Sequence, residues 1–190
     1  MKKKRYSAKD WLDLGLAELS RAGPEAVKLE AICKAAGLTR GSFYYHFADH
    51  EAFLVAMANR WLEQQTDEIA EHIQALMGEG DISSEVMEKM TQVALEIDYK
   101  LELAMRELGR RVPHVNVVVK AADKKRIGVM TQMYVARFAL PIEEAARYAY
   151  LEYATFSGIV LLNPDMAQDE QLSLAALYEQ TMVAALKKGD

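Results

Sequence analysis

The chain is predicted to be all-α, a small N-terminal three-helix unit followed by a larger helical bundle, with about nine helices. Three observations predict this. Apolar residues recur at intervals of three and four along most of the chain. No run of strictly alternating apolar and polar residues is bounded by turn dipeptides. Helix breakers are few: the 190 residues include four Pro, and most of the ten Gly sit at the ends of apolar-periodic runs. The Ala, Leu, Glu, Lys and Met content agrees. A chain of this length buries a real core as one large domain or two small ones.

The first helix is signalled by Ser7 with Asp10 three residues on, a hydroxyl cap and its answering acid, followed by Trp11, Leu12, Leu14, Leu16 and Leu19. Gly23 and Pro24 end it. A second short helix carries Leu29, Ile32, Cys33 and Ala36 at helical spacing and stops at Gly37. Thr39 caps a third that runs to about Phe47. Asp49 caps a long fourth, through Phe53, Leu54, Met57, Trp61 and Ile69 to about Met77, and Gly78 to Gly80 form a linker. Val86, Met90, Val93, Ala94, Ile97, Leu101, Ala104, Met105 and Leu108 then make one apolar stripe, broken by Gly109 and Pro113. Further helical patterns cover about 114–139, with a kink expected near Asp123, then 142–162 and 169–188, separated by Pro141 and by Asn163 with Pro164. The expected division is a small helical unit at 1–50, with the fourth helix starting at about 49, and a larger helical domain at 51–190.

The net charge of −5 is unevenly distributed. Residues 1–60 hold ten of the 23 Lys and Arg but only seven of the 28 Asp and Glu, leaving 13 basic against 21 acidic residues in the rest. The first third therefore suits a polyanion, with Lys2 to Arg5 either contributing or forming a solvated tail. A single cysteine forms no internal disulfide and points to a reducing cytoplasm. The charged start leads into an amphipathic segment instead of a secretory signal, and no apolar stretch is long enough to span a bilayer, so no membrane partner is expected.

Two short helices joined by a turn containing Gly form the helix-turn-helix arrangement, whose second helix enters the DNA major groove. Gly37 supplies the turn, and Cys33 is a small side chain where the two helices approach, expected to pack and not to react. Five consecutive rings follow, Phe43 to Phe47. Phe43 and Phe47, four apart, share a face and join Leu29, Ile32 and Leu38 in the core, so Tyr44, Tyr45 and His46 point elsewhere. Their apolar bodies and polar tips suit phosphate and sugar. Thr39, Arg40, Gly41 and Ser42 form the positive end of that helix. Arg40 is the one long fork donor there; it pairs bidentately with guanine or contacts a phosphate, with Ser42 and Tyr44 as secondary base readers.

Residues 6–60 closely resemble the DNA-binding domain of the TetR family of bacterial transcriptional regulators. The resemblance rests on Trp11 and Leu12 with Leu19 and Gly23, on Ile32-Cys-Lys-Ala-Ala-Gly-Leu-Thr-Arg-Gly-Ser-Phe-Tyr-Tyr-His-Phe47, and on Asp49-His-Glu-Ala-Phe-Leu54. It implies phosphate or base contacts for Thr39, Arg40, Gly41, Ser42, Tyr44, Tyr45 and His46. Three positions depart from the family pattern. Lys28 stands where the second helix usually has a hydroxyl cap, and is a substitute phosphate contact. His50 stands where a lysine commonly grips phosphate. Gly15 replaces a usual alanine, at a cost of about 1 kcal/mol in helix propensity.

The remaining helices match the family in length and architecture. The resemblance implies that they form a homodimer and enclose a small-molecule site whose occupancy weakens DNA binding, making the chain a repressor released from a palindromic operator by an effector. Ala145, Ala146, Ala149, Ala154, Ser157 and Gly158 on the 142–162 helix permit close helix approach, and Leu174, Leu177, Tyr178, Thr181, Met182 and Ala185 lie on the last helix, so these two are the expected dimer bundle. Met90, Ile97, Tyr99, Leu101, Met130, Met133, Tyr134, Phe138, Tyr153 and Phe156 are the expected effector pocket, unless they are plain core; Met adapts in shape and Tyr adds polar fixing points. A cationic effector is expected only if Asp98 or Glu102 faces inward.

An enzyme is not expected. None of the four histidines, at 46, 50, 72 and 114, has a Glu three residues before it, and the chain lacks His-Glu-x-x-His and both glycine-rich phosphate-binding patterns. No catalytic residue, cofactor or metal is therefore assigned. An activator or architectural DNA-binding protein without an effector shares every N-terminal feature.

Overall fold

A computed structural model describes residues 6–78 and 82–186. Among them there is no strand. The helices are α1 (Ala8–Ala22), α2 (Leu29–Ala36), α3 (Arg40–Tyr44), α4 (His50–Leu62), α5 (Glu68–Met77), α6 (Ser84–Ala94), α7 (Tyr99–Arg111), α8 (Pro113–Phe138), α9 (Ile142–Leu162) and α10 (Gln168–Leu186). A 3₁₀ turn at Pro24–Val27 precedes α2, and a π-helical turn at Glu63–Asp67 joins α4 to α5. Taking His50 to Met77 as one continuous run, as its sequence pattern does, leaves nine helices among the described residues. No helix among them is long and apolar enough to cross a membrane.

Local chemistry sets most boundaries. Ser7 and Asp10 form a reciprocal capping box on α1, and Asp49 accepts the Ala52 N–H at 2.7 Å to open α4. The stripe from Val86 to Leu108, expected as one helix, is two. Asp98 Oδ1 accepts the Leu101 N–H at 3.0 Å and starts α7 afresh after the turn at 95–98. Apolar periodicity survives such a turn, so the stripe alone does not reveal it. The third helix, expected to reach Phe47, has regular α geometry only to Tyr44; Tyr45 and His46 form a closing turn.

The chain divides into two compact units that are discontinuous in sequence. The first takes residues 6–67 together with Asp98–Asp123, and the second takes 68–97 with 124–186. Compactness thus groups α4, α7 and the start of α8 with the first three helices. In the first unit, Trp11, Leu19, Ile32, Phe43, Phe53, Met57, Trp61 and Met105 are sealed from solvent in one core. Here Gly15 has a packing reason. A Cβ at that position would lie 2.8 Å from both Met57 Sδ and Phe53 Cζ, so glycine lets α1 close onto the α4 side chains. In the second unit, Ile82, Met87, Met90, Met133, Tyr134, Ala145 and Ala149 form the buried cluster.

Candidate nucleic-acid interface

Gly37 ends α2 in the left-handed region, φ 65° and ψ 28°, with its N–H directed to the last carbonyls of the helix; the Leu38 N–H reaches Cys33 O at 3.0 Å. Two residues on, Thr39 Oγ1 accepts the Ser42 N–H at 3.3 Å and begins α3. Burial holds the Cys33 thiol above its ordinary range, in keeping with a packing role. The fate of the five rings follows from their spacing. Phe43 and Phe47 are buried, with Phe43 edge-on to Trp11 and Phe53. Tyr45 is 79% exposed and Tyr44 50%. The core rings pin the helix, with Tyr44 edge-on to Phe43 and half exposed and Tyr45 standing out into solvent.

The charged candidates are already engaged. Arg40 forms an ion pair with Glu30 of α2. Lys28, which provides no side-chain cap for α2, pairs with Glu25 at 2.5 Å, and Arg111 of α7 reaches the same carboxylate at 3.0 Å. Lys28, then the weaker Arg111 contact, holds the Glu25 carboxyl below the usual carboxylate range. Both histidines point a ring nitrogen inward: His46 Nε2 donates to Tyr6 O at 2.9 Å and His50 Nε2 to Val27 O at 2.8 Å. A carbonyl only accepts, so each Nε2 carries the proton and Nδ1 is the atom left for other partners. The structure therefore brings Thr39, Arg40, Gly41, Ser42, Tyr44 and Tyr45 together on one short segment, with Lys28, His46 and His50 on the segments flanking it. Glu30, an acid in the first turn of α2, is indistinguishable in sequence from a solvated charge. Lys2 to Arg5 lie outside the described residues.

The residues expected around an effector divide between the units. Leu101 belongs to the first unit's core and Tyr99 to the same unit. Met90, Met133 and Tyr134 are buried together in the second unit, with Met130 and Phe138 packed against them. Ile97 is half-buried there, Tyr153 accepts a hydrogen bond from Arg126 at 3.3 Å, and Phe156 packs its ring against Tyr178. Neither carboxylate considered for a cation is open. Asp98 caps α7 and also accepts from Ser20 Oγ at 3.2 Å, and Glu102 is paired with Arg106.

Residues 12–57 match the family model described as bacterial regulatory proteins, tetR family. No curated protein sequence matches the chain. Among solved structures, the chain is similar to a protein of Pseudomonas aeruginosa PAO1 assigned as a transcriptional regulator, with a TM-score of 0.70 at 14% identity over 95% of this chain and 92% of that one. It is also similar to E. coli NemR in its reduced form, with a TM-score of 0.68 at 21% identity over 90% and 94%. The fatty acid degradation regulator FadR of Bacillus halodurans follows, at 0.56 and 17% over 90% and 93%. At such identities these likenesses establish the fold, which extends over nearly the whole chain. The matched segment runs from α1 through the turn at Gly37 and the exposed Tyr44 and Tyr45 into α4, and over these residues the chain is similar to the tetR family of bacterial regulatory proteins.

Proposed function

We propose that the protein is a sequence-specific DNA-binding regulator, acting as a repressor that a small-molecule effector releases from a palindromic operator. The observation that carries this reading is the short α3 segment, pinned from behind by Phe43 and Phe47 while Arg40, Tyr44 and Tyr45 face solvent. A duplex is the partner that makes such exposure useful. Arg40 reads a guanine edge after exchanging Glu30 for it. Thr39, Gly41, Ser42, Tyr44 and Tyr45 hold phosphate and sugar, Lys28 adds charge, and His46 and His50 contribute through Nδ1. A regulator of this kind works beside the chromosome, in the cytoplasm.

The 1–50 segment is assigned to DNA and 51–190 to effector binding and dimerisation. Supporting the dimer, α9 and α10 carry solvent-facing Tyr150, Leu151, Leu161, Leu162 and Leu177, with Leu162 86% exposed. Of the small residues on α9, Ala145 and Ala149 are used in the core, whereas a Cβ at Gly158 would meet nothing within 4 Å. The outer part of that stripe is thus open to a second copy. An isologous dimer presents two α3 segments and requires two-fold half-sites.

Selection of bound sequences from random duplex DNA by the purified protein tests the reading. The expected outcome is an inverted repeat with half-sites separated by about one helical turn or slightly more. Recovery of random sequence, or of a consensus without two-fold symmetry, overturns it.

A further inference from the structure

We propose that the unit formed by residues 68–97 and 124–186 binds an apolar ammonium ion through the carboxylate of Glu152 and the aromatic faces around it. This deepens the reading of that region as effector-binding and rests on it.

Glu152 lies midway along α9, half-buried, and its one hydrogen bond comes from a neutral group: Tyr134 Oη donates to Oε2 at 2.7 Å. The charged and titratable groups facing it are Tyr134 and Arg137 from α8 and Tyr178 and Glu179 from α10. Arg137 does not neutralise it at contact distance. That guanidinium donates to Glu179 at 2.7 Å and sits 5.1 Å above the centre of the Phe138 ring. The Tyr178 hydroxyl is buried beside the Tyr134 hydroxyl, and no hydrogen bond of ordinary geometry reaches it among the described residues. The structure therefore holds a carboxylate short of a counter-charge beside a hydroxyl short of a partner.

The surroundings select among ligands. The Tyr134 ring stacks on Tyr148 at 5.8 Å and lies 5.7 Å from Phe138, while Phe156 flanks Tyr178 at 5.8 Å. Ring faces attract cations and exclude water, and a neighbouring carboxylate adds the matching charge. An anion is repelled by Glu152, and a neutral apolar molecule leaves its charge unanswered. An ammonium on an aromatic or aliphatic body satisfies both requirements, and an N–H on it can also bond the Tyr178 oxygen. Burial, the main cause, pushes the Glu152 carboxyl up to about 7, so near neutrality it divides between protonated and ionised forms. A cation takes the ionised form, which makes its affinity rise with pH across that range.

The test uses the full chain and six probes: adamantyl and 4-phenylbutyl bodies, each carrying an ammonium, a hydroxyl or a carboxylate. Titration calorimetry is expected to rank ammonium above hydroxyl by tenfold or more, with carboxylate weakest, and to show ammonium affinity rising between pH 6 and 8. Glu152→Gln is expected to bring each ammonium down to its hydroxyl counterpart and to abolish the pH dependence, with circular dichroism and light scattering unchanged. Should that variant fail to fold, Tyr178→Phe removes only one hydroxyl and is expected to weaken the ammonium several-fold while sparing the alcohol. The proposal is overturned if no ammonium outranks its alcohol, if Glu152→Gln retains the preference, or if Glu152→Gln alters only the oligomeric state. DNA binding of the same preparations is measured in parallel. Its absence overturns the regulator reading, and a missing charge preference with DNA binding intact overturns only this site.

Discussion

Each compact unit holds a glutamate drawn wholly or partly out of water, Glu102 and Glu152, and the two are answered differently. In the first unit Glu102, 6% exposed, accepts from Arg106 Nε at 2.8 Å, and the same guanidinium grips Asp123 with two nitrogens at 3.2 and 2.5 Å. In the second, Glu152 has one phenol. A charge that is fully paired inside its own unit belongs to the scaffold, because nothing is gained by bringing it a further partner. A charge left short of partners keeps its appetite for a ligand. The contrast extends to the aromatic residues: Phe43 is packed from several sides, whereas the buried hydroxyl of Tyr178 meets no hydrogen bond of ordinary geometry among the described residues.

The sharpest way to break the comparison is Arg106→Met. It leaves Glu102 and Asp123 facing each other without their shared cation and is expected to destabilise the protein by about 3 kcal/mol in chemical denaturation. A loss below about 1 kcal/mol means the triad is not scaffold. Next in size, Arg40→Ala is expected to cost roughly 1 to 3 kcal/mol on the selected operator and to relax preference at one half-site position, read by competition binding. Equal losses on random DNA make Arg40 a phosphate contact. Glu152→Gln carries the opposite sign from Arg106→Met. A carboxyl raised in the folded state contributes stability below its unfolded value and loses it as pH rises through about 7. The wild type should therefore weaken between pH 5 and 8 relative to the amide variant, by on the order of 1 kcal/mol, and parallel pH profiles would refute this.

Much of the DNA-facing region was legible in the sequence because its signals are local. Spacing four places Phe43 and Phe47 on one face, Gly37 marks the left-handed turn, and Thr39 and Asp49 are caps read directly from residue type. What escaped depends on partners distant in sequence. Spacing four puts Glu102 and Arg106 on one face of α7, but nothing in it marks the third member, Asp123, 17 residues from Arg106. Asp98 looked like a ligand group and is a cap. Glu152 carries no signal in sequence, because an acid on a helix that also holds Glu143 and Glu144 looks solvated until Tyr134 and Tyr178 are seen beside it. The inward nitrogens of His46 and His50 depend likewise on carbonyls 40 and 23 residues away.

Two smaller effects complete the comparison. Gly15→Ala improves helix propensity yet forces a Cβ against Met57 and Phe53, and the net expectation is a loss of about 1 kcal/mol, seen as a lower denaturation midpoint. A gain in stability would show that these side chains move aside easily. Smallest is Glu30→Gln, which frees Arg40 from its exposed ion pair. Affinity for random duplex should rise by roughly two- to threefold, the scale of a surface pair, with less change on the operator. A uniform gain on both would deny Glu30 any part in discrimination.

The contact at Gly15 has a consequence for the history of the sequence. The space that a methyl group would need on α1 is filled by the sulfur of Met57 and the ring edge of Phe53, so substitutions at 15 and 57 are coupled. Gly15→Ala and Met57→Val should each be harmful alone and partly rescue one another together, a non-additivity that a double-mutant cycle measures. Relatives of this protein are then expected to sort into two groups, glycine with a long residue and alanine with a short one, with few mixed sequences between them.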